Sequence, residues 1–228
     1  MPGLLELFTK WLPDWPGRKS GKIVISVGFS MKKSSCNWRA SDRNRCELIV
    51  DAARNHFLSK GFHGVSIRSL AEELNIQPGS IYYHFASKEE ILFEIIESYE
   101  SGLNQALGAI GEGTAVQMLG KYVDAYMNLA FAEHLAAQLA RLEFRSLSEK
   151  HKAEILELRA WRVSALNSIL SRGLALNNFD LLDMRSTIKA IDFVFGGFIG
   201  SSSHSGETIA ECKFFVFRLL GARYSKCA

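Results

Sequence analysis

The chain has 228 residues, 47% of them hydrophobic and 22% charged, with a formal net charge of +3. That balance is ordinary for a globular protein of one large or two smaller domains, and the charge is too small to argue for nucleic acid by itself. No apolar run approaches the roughly 18 residues a membrane span needs. The nearest, Ile23-Val24-Ile25-Ser26-Val27-Gly28-Phe29, lacks the small-residue cleavage site of a secretory signal.

Residues 1–42 read as an N-terminal extension, either disordered or the product of a misassigned start. Pro2, Pro13 and Pro16 crowd into it with Gly3, Gly17, Gly21 and Gly28, so no helical period develops around Trp11 and Trp15. Met31 is the expected true start, opening a short arm in which Lys32, Lys33, Arg39, Arg43 and Arg45 face one acid, Asp42. Such arms next to a DNA-binding unit reach phosphates or the minor groove. Cys36, Cys46, Cys212 and Cys227 form no CxxC pair and have no histidine at metal-ligand spacing. This points to reduced thiols in a cytoplasmic protein, with no metal and no cofactor.

From Ser41 the chain becomes periodic. Ile49, Ala52, Ala53 and Phe57 form an apolar stripe over residues 43–59, closed by Gly61 as a left-handed cap, with Phe62 placed for the accompanying hydrophobic contact. Ser66 is a good N-cap for a second helix carrying Ile67, Leu70, Ala71 and Leu74. Asn75, the non-glycine residue best suited to a left-handed turn, interrupts it, and Pro78 opens a short third helix over 77–84. Ser87 and Glu90 read as a capping box before Ile91, Leu92, Ile95, Ile96 and Tyr99, in a helix that ends or bends before Thr114. Further helices are expected over 115–133, 134–147, 150–177, 183–203 and 206–224, with no strand alternation and no internal repeat.

Two short helices joined by a tight turn and buttressed by a third make a helix-turn-helix, placed here at residues 66–85. Its second helix lies in the major groove with its N-terminal residues toward base edges. Ile81, four residues before Phe85, packs inward and leaves Gln77, Ser80 and Tyr82 pointing out. Gly79 lets the backbone approach closely, Ser80 and Tyr83 can donate to phosphate oxygens, and His84 and Lys88 add positive charge at the edge. Ser66 and the adjoining amides suit a phosphate, and the body of Tyr82 suits a thymine methyl. The expected DNA contacts are therefore Ser66, Arg68, Gln77, Pro78, Gly79, Ser80, Tyr82, Tyr83, His84 and Lys88.

The segments Ala52-Ala53-Arg54-Asn55-His56-Phe57 and Ser66-Ile67-Arg68-Ser69-Leu70-Ala71 look like the first two helices of the TetR/AcrR family of transcriptional regulators. Gly79-Ser80-Ile81-Tyr82-Tyr83-His84-Phe85 followed by Ser87-Lys88-Glu89-Glu90-Ile91-Leu92 resembles that family's recognition segment, with Asn75 standing where the family usually has glycine. The resemblance spans residues 43–103 and implies an all-α protein. It would comprise a DNA-binding domain at 43–103 and a ligand-sensing, dimerising domain at 114–228.

Beyond Gly113 no catalytic motif appears, so no catalytic residue is assigned. The segment from Arg141 to Ser148, followed by a helix with Arg159, Trp161 and Arg162, resembles family members that answer to acyl-CoA thioesters. On that resemblance Arg141, Arg145, Arg159 and Arg162 would meet phosphates or a carboxylate, and Met118, Tyr122, Tyr126 and Phe144 would line the apolar part. The alternative pairs these arginines with Glu143, Glu154 and Glu157 on helix surfaces. The last two helices carry Ile188, Ile191, Phe193, Val194, Phe195, Phe198 and Ile199, then Phe214, Phe215, Phe217 and Leu219. That is more apolar surface than helices with an exposed face sustain, and a homodimer through a four-helix bundle would bury it.

The resulting expectation is a cytoplasmic, homodimeric repressor on a palindromic operator, released when a small effector shifts the helix from Ser87 to Leu107. The rivals are an activator or protein-binding helix-turn-helix module, and a helical enzyme.

Overall fold

The computed structural model describes residues 40–181, 183–200 and 205–222. The expected start at Met31, most of the basic arm, Cys36, Cys227 and the ends of the last two expected helices lie outside them. The described helices are α1 (Ala40–Lys60), α2 (Ile67–Glu73), α3 (Pro78–His84), α4 (Lys88–Gly108), α5 (Ala115–Ala132), α6 (His134–Leu142), α7 (Glu149–Ala175), α8 (Met184–Ile199) and α9 (Gly206–Leu219). A 3₁₀ turn, Phe144–Ser146, joins α6 to α7, and no strand occurs among the described residues.

Local chemistry accounts for the element ends. In α1 the buried set Cys46, Ile49, Val50, Ala53 and Phe57 repeats at three- and four-residue steps, and Gly61 ends the helix at φ +73°. Phe62 then folds back edge-on to Phe57, with ring centroids 5.3 Å apart. Ser66 caps α2 reciprocally with Ser69: each hydroxyl accepts the other's backbone N–H, at 3.0 and 3.1 Å. Asn75 takes φ +52° in the turn, and Pro78 opens α3, where its missing N–H costs nothing.

The expected helix over 134–147 is shorter in the structure. α6 stops at Leu142, and the carboxylate of its capping residue Glu143 ties the end down: its Oε1 accepts the Phe62 backbone N–H at 3.2 Å, and its Oε2 accepts the Ser146 hydroxyl at 2.8 Å.

α4 is the hub. It packs on α1, α5, α6 and α7, and Ile91, Leu92, Ile95, Ile96 and Leu103 are fully buried. Each such side chain contributes about 1.5–3 kcal/mol by leaving water. Three residues separate its first turn from the end of α3, so any shift of α4 reaches α3 through a short, capped joint. That first turn is also tied to α7. Glu89 Oε1 accepts the Ser148 backbone N–H at 2.8 Å and lies 2.8 Å from His151 Nδ1, while Phe93 stacks on the imidazole at 3.9 Å.

This joint makes stability depend on pH. Burial raises the Glu89 pKa, but the Ser148 amide and His151 together lower it more, leaving it below the ordinary value of 4.5. A carboxylate depressed in the folded state stabilises above its unfolded pKa, and that contribution fades as pH falls through the folded value. Thermal denaturation should therefore show wild type melting above Glu89→Gln at neutrality, the gap closing below pH 4.5. A gap independent of pH contradicts this reading.

Candidate nucleic-acid interface and inner cavity

α3 is pinned by one side chain and open on the other side. Ile81 is fully buried and Phe85 nearly so, whereas Tyr82 is 56% and Tyr83 76% exposed. Two large aromatic residues left in water on a seven-residue helix are unusual unless they meet a partner. Gln77 and Gly79 are exposed, and Pro78 and Ser80 half-buried, at the helix's first turn. A Cβ added at Gly79 would meet no protein atom within 4 Å, so packing places no demand for glycine there. The free space lies outside the protein, as close approach by another molecule requires.

Three neighbouring residues stand differently. Arg68 projects into solvent, its side chain 83% exposed, with Glu72 3.2 Å away. Such surface pairs are weak, so the guanidinium can exchange partners. Ser66 is exposed, but its hydroxyl is committed to the α2 cap. His84 is buried, edge-on to Tyr83 at 4.9 Å, rather than a charge at the rim. Lys88 braces the turn after α1: its ammonium donates to the Phe62 and Val65 carbonyls, both at 2.7 Å, and lies 4.3 Å from the Phe62 ring centroid. Burial pulls its pKa down, and Glu143 partly restores it.

A model of the bacterial regulatory proteins of the tetR family matches residues 49–95, which hold most of α1, all of α2 and α3, and the start of α4. The regulator UidR of Escherichia coli is 42% identical over 48 residues, covering 21% of this chain and 24% of its own. The fatty acid metabolism regulator protein of Bacillus subtilis is 24% identical over 131 residues, covering 55% of this chain and 66% of its own. Each match thus takes in less than two thirds of the relative's length. The helix-turn-helix segment, residues 49–95, is thus similar to the DNA-binding segment of tetR-family regulators. The fold extends beyond the matched segment. The crystal structure of the TetR-family regulator PfmR from Thermus thermophilus superposes with a TM-score of 0.69 at 23% identity, over 78% of this chain and 99% of that one.

The remainder of the chain forms a cavity of about 580 Å³, open to solvent on one side, between α4, α5, α6, α7 and α8. Of the residues expected to meet a ligand, the structure brings Tyr122, Tyr126, Arg141, Arg159 and Arg162 to its wall. Met118, Phe144 and Arg145 are not on that wall. Met118 Sδ lies 3.6 Å from Arg172 Nη1, Phe144 lies under the Arg159 guanidinium at 4.5 Å, and Arg145 is exposed on the 3₁₀ turn.

The decisive group at the cavity was missed by sequence reasoning. Glu100 of α4, 1% exposed, accepts from Arg159 Nε at 2.7 Å and Arg162 Nη1 at 2.5 Å. Arg159 and Arg162 thus pair with Glu100 rather than with Glu143, Glu154 or Glu157. A signal was present: Leu92, Ile96, Glu100, Leu103 and Leu107 step along one buried face, an acid within an apolar stripe. Tyr126 stacks on Phe195 at 4.3 Å, and Arg162 sits 5.6 Å from the Tyr126 ring centroid. Toward solvent, Arg141 lies 3.6 Å from Asp192, and Val163 and Phe193 are 46% and 76% exposed at the wall's outer edge. Arg141 occupies space that a side chain on Gly196 would take.

Glu89, Glu90 and His151 bring three potential metal ligands within 4.8 Å of one another. Their hydrogen bonding and the Phe93 stack explain them as an interhelical tie. Cys46 is buried, and Cys212 is a buried thiol whose pKa is pushed up to about 12 by burial, which suits packing rather than reactivity. Among the described residues no helix is long and apolar enough to cross a membrane.

Proposed function

We propose that the protein is a cytoplasmic, sequence-specific DNA-binding regulator that acts as a dimer on a palindromic operator and represses until an effector binds. Residues 43–103 read DNA, and 114–228 sense the effector and dimerise. The observation that carries this is the exposed Tyr82–Tyr83 pair on α3 beside the open backbone at Gly79, held in place by the buried Ile81. Its matched relatives are named as regulators, which favours a reader of DNA over an enzyme.

Dimerisation is supported by α8 and α9. Phe193, Phe214, Phe215 and Leu219 are 41–76% exposed, a stretch of apolar surface that monomers rarely leave in water. A partner's two helices would cover it and set the two α3 helices about one DNA turn, roughly 34 Å, apart. The effector is a small acyl compound, an acyl-CoA thioester or its parent acid. The name of the Bacillus subtilis relative and the arginine-bearing, aromatic wall of the cavity support this class.

A gel shift with the DNA upstream of the protein's own gene tests the proposal. A specific complex should form and weaken steeply as salt rises, because each phosphate contact releases counterions. A folded protein that forms no such complex, or one indifferent to salt, sinks it.

A further inference from the structure

The charges lining the inner cavity do not balance. Glu100, the buried carboxylate there, serves two guanidiniums, Arg159 and Arg162, while at the outer edge Asp192 answers Arg141 and the exposed Lys189 also lines the wall. The inner wall therefore holds one positive charge more than its carboxylates neutralise. For Arg162, whose side chain is 11% exposed, an uncompensated charge nearby is costly, and a monoanion removes that cost.

A second, independent feature marks the same place. Tyr99 adjoins Glu100 on α4, lines the cavity and is only 6% exposed, yet its hydroxyl has no hydrogen-bond partner. Tyr122 differs, since its hydroxyl donates to the Arg162 carbonyl at 3.5 Å. Burial raises the Tyr99 pKa well above the phenol range, with Arg162 and Arg141 near enough to oppose this in part. It is thus a fixed donor without an acceptor, and buried donors are paired in folded proteins. The rest of the inner wall is apolar or aromatic: Tyr126, Leu166, Ile191 and Phe195.

Building on the effector reading above, we propose that the effector is an apolar monocarboxylate bound head-inward, its carboxylate between the Arg162 guanidinium and the Tyr99 hydroxyl. One carboxylate oxygen answers the excess charge and the other accepts from Tyr99. The apolar body runs past Tyr126 and Phe195 toward the outer edge at Val163 and Phe193. A thioester places no charge at the inner end, and its coenzyme carries several charges on a bulk unlike this aromatic wall. The free acid, rather than its thioester, is therefore the species the inner wall fits. Tyr99 and Glu100 are neighbours on α4, so the carboxylate is sensed by the helix that leads to α3.

The test uses the full chain with octanoate, dodecanoate and hexadecanoate below their micellar concentrations, their methyl esters and their CoA thioesters. Affinity is read by thermal shift and DNA release by fluorescence anisotropy. The best acid should bind about tenfold or more tighter than its ester, the usual value of a charge-assisted hydrogen bond. Tyr99→Phe removes only the unpartnered hydroxyl, so the free variant should melt at or above wild type. It should lose about tenfold in affinity for the acid and distinctly less for the ester, whose carbonyl accepts only a neutral hydrogen bond. An ester or thioester that binds as well as the acid, or a Tyr99→Phe variant that binds the acid undiminished, overturns the head-inward carboxylate and leaves the regulator reading standing. Acids that bind with the expected preference yet never release DNA support the site and sink ligand-relieved repression. No binding by any of the compounds overturns both.

Discussion

Glu100→Ala should cost about 3–5 kcal/mol of folding stability, the loss expected when one member of a buried ionic cluster is removed and its partners are stranded. Glu100 joins α4 to α7 through two charge-assisted hydrogen bonds of 2.7 and 2.5 Å. Without it, Arg162, whose side chain is 11% exposed, keeps a guanidinium beside Tyr126 and Phe195 with no counter-charge. Burial works against the Arg162 charge, and Glu100 is what more than restores it. For a domain of this size each kcal/mol moves Tm by about 2–4 °C, so Tm should fall by roughly 6–20 °C. Arg159 suffers less, because it is 25% exposed and also donates to the Ala140 carbonyl at 2.7 Å. Changing the cluster as a unit, Glu100→Met with Arg159→Met and Arg162→Met, should recover most of the loss, since what destabilises is the unpaired charge rather than the absent bond. Urea denaturation decides the matter. A loss below about 1 kcal/mol for Glu100→Ala would place the carboxylate in water rather than in the cavity wall.

The second large effect falls on DNA and not on stability. Tyr82→Ala removes an aromatic ring that is 56% exposed and anchors nothing, so folding stability should change by less than about 0.5 kcal/mol. Specific DNA affinity should fall by about 1–3 kcal/mol, or roughly fivefold to 150-fold, the worth of a good base contact. Non-specific affinity and its salt slope should barely move, because these follow phosphate neutralisation. Equal losses on specific and random DNA would make Tyr82 a backbone contact and shift the reading of sequence to Gln77 and Ser80.

The N-terminal helices were legible because their stop and start signals are local. Gly61 and Asn75 need only their own backbone to take φ +73° and +52°, and Ser66 caps a helix that begins one residue later. Ile81 was assigned inward from its four-residue step to Phe85, and it is fully buried. What the sequence hid depends on residues far apart in the chain. Glu100 meets partners 59 and 62 residues away, and the Glu143 carboxylate at the end of α6 accepts from an amide 81 residues back. Lys88 was expected toward DNA, yet two carbonyls 23 and 26 residues earlier hold it inside the fold. Met118 shares the helical stripe of Tyr122 and Tyr126, but eight residues of helix span about 12 Å, and the cavity meets only the Tyr122–Tyr126 part. Helical spacing identifies a face; it does not say how far along that face a cavity extends.

The most direct measurement is a nuclease footprint of the full-length protein on the upstream DNA that the gel shift retains. The predicted result is one protected, two-fold symmetric segment whose half-site centres lie about one helical turn apart, lost in Tyr82→Ala at concentrations that saturate wild type. A folded wild-type protein that leaves that DNA uniformly cleaved, or an unchanged footprint with Tyr82→Ala, would contradict an account in which α3 reads the operator.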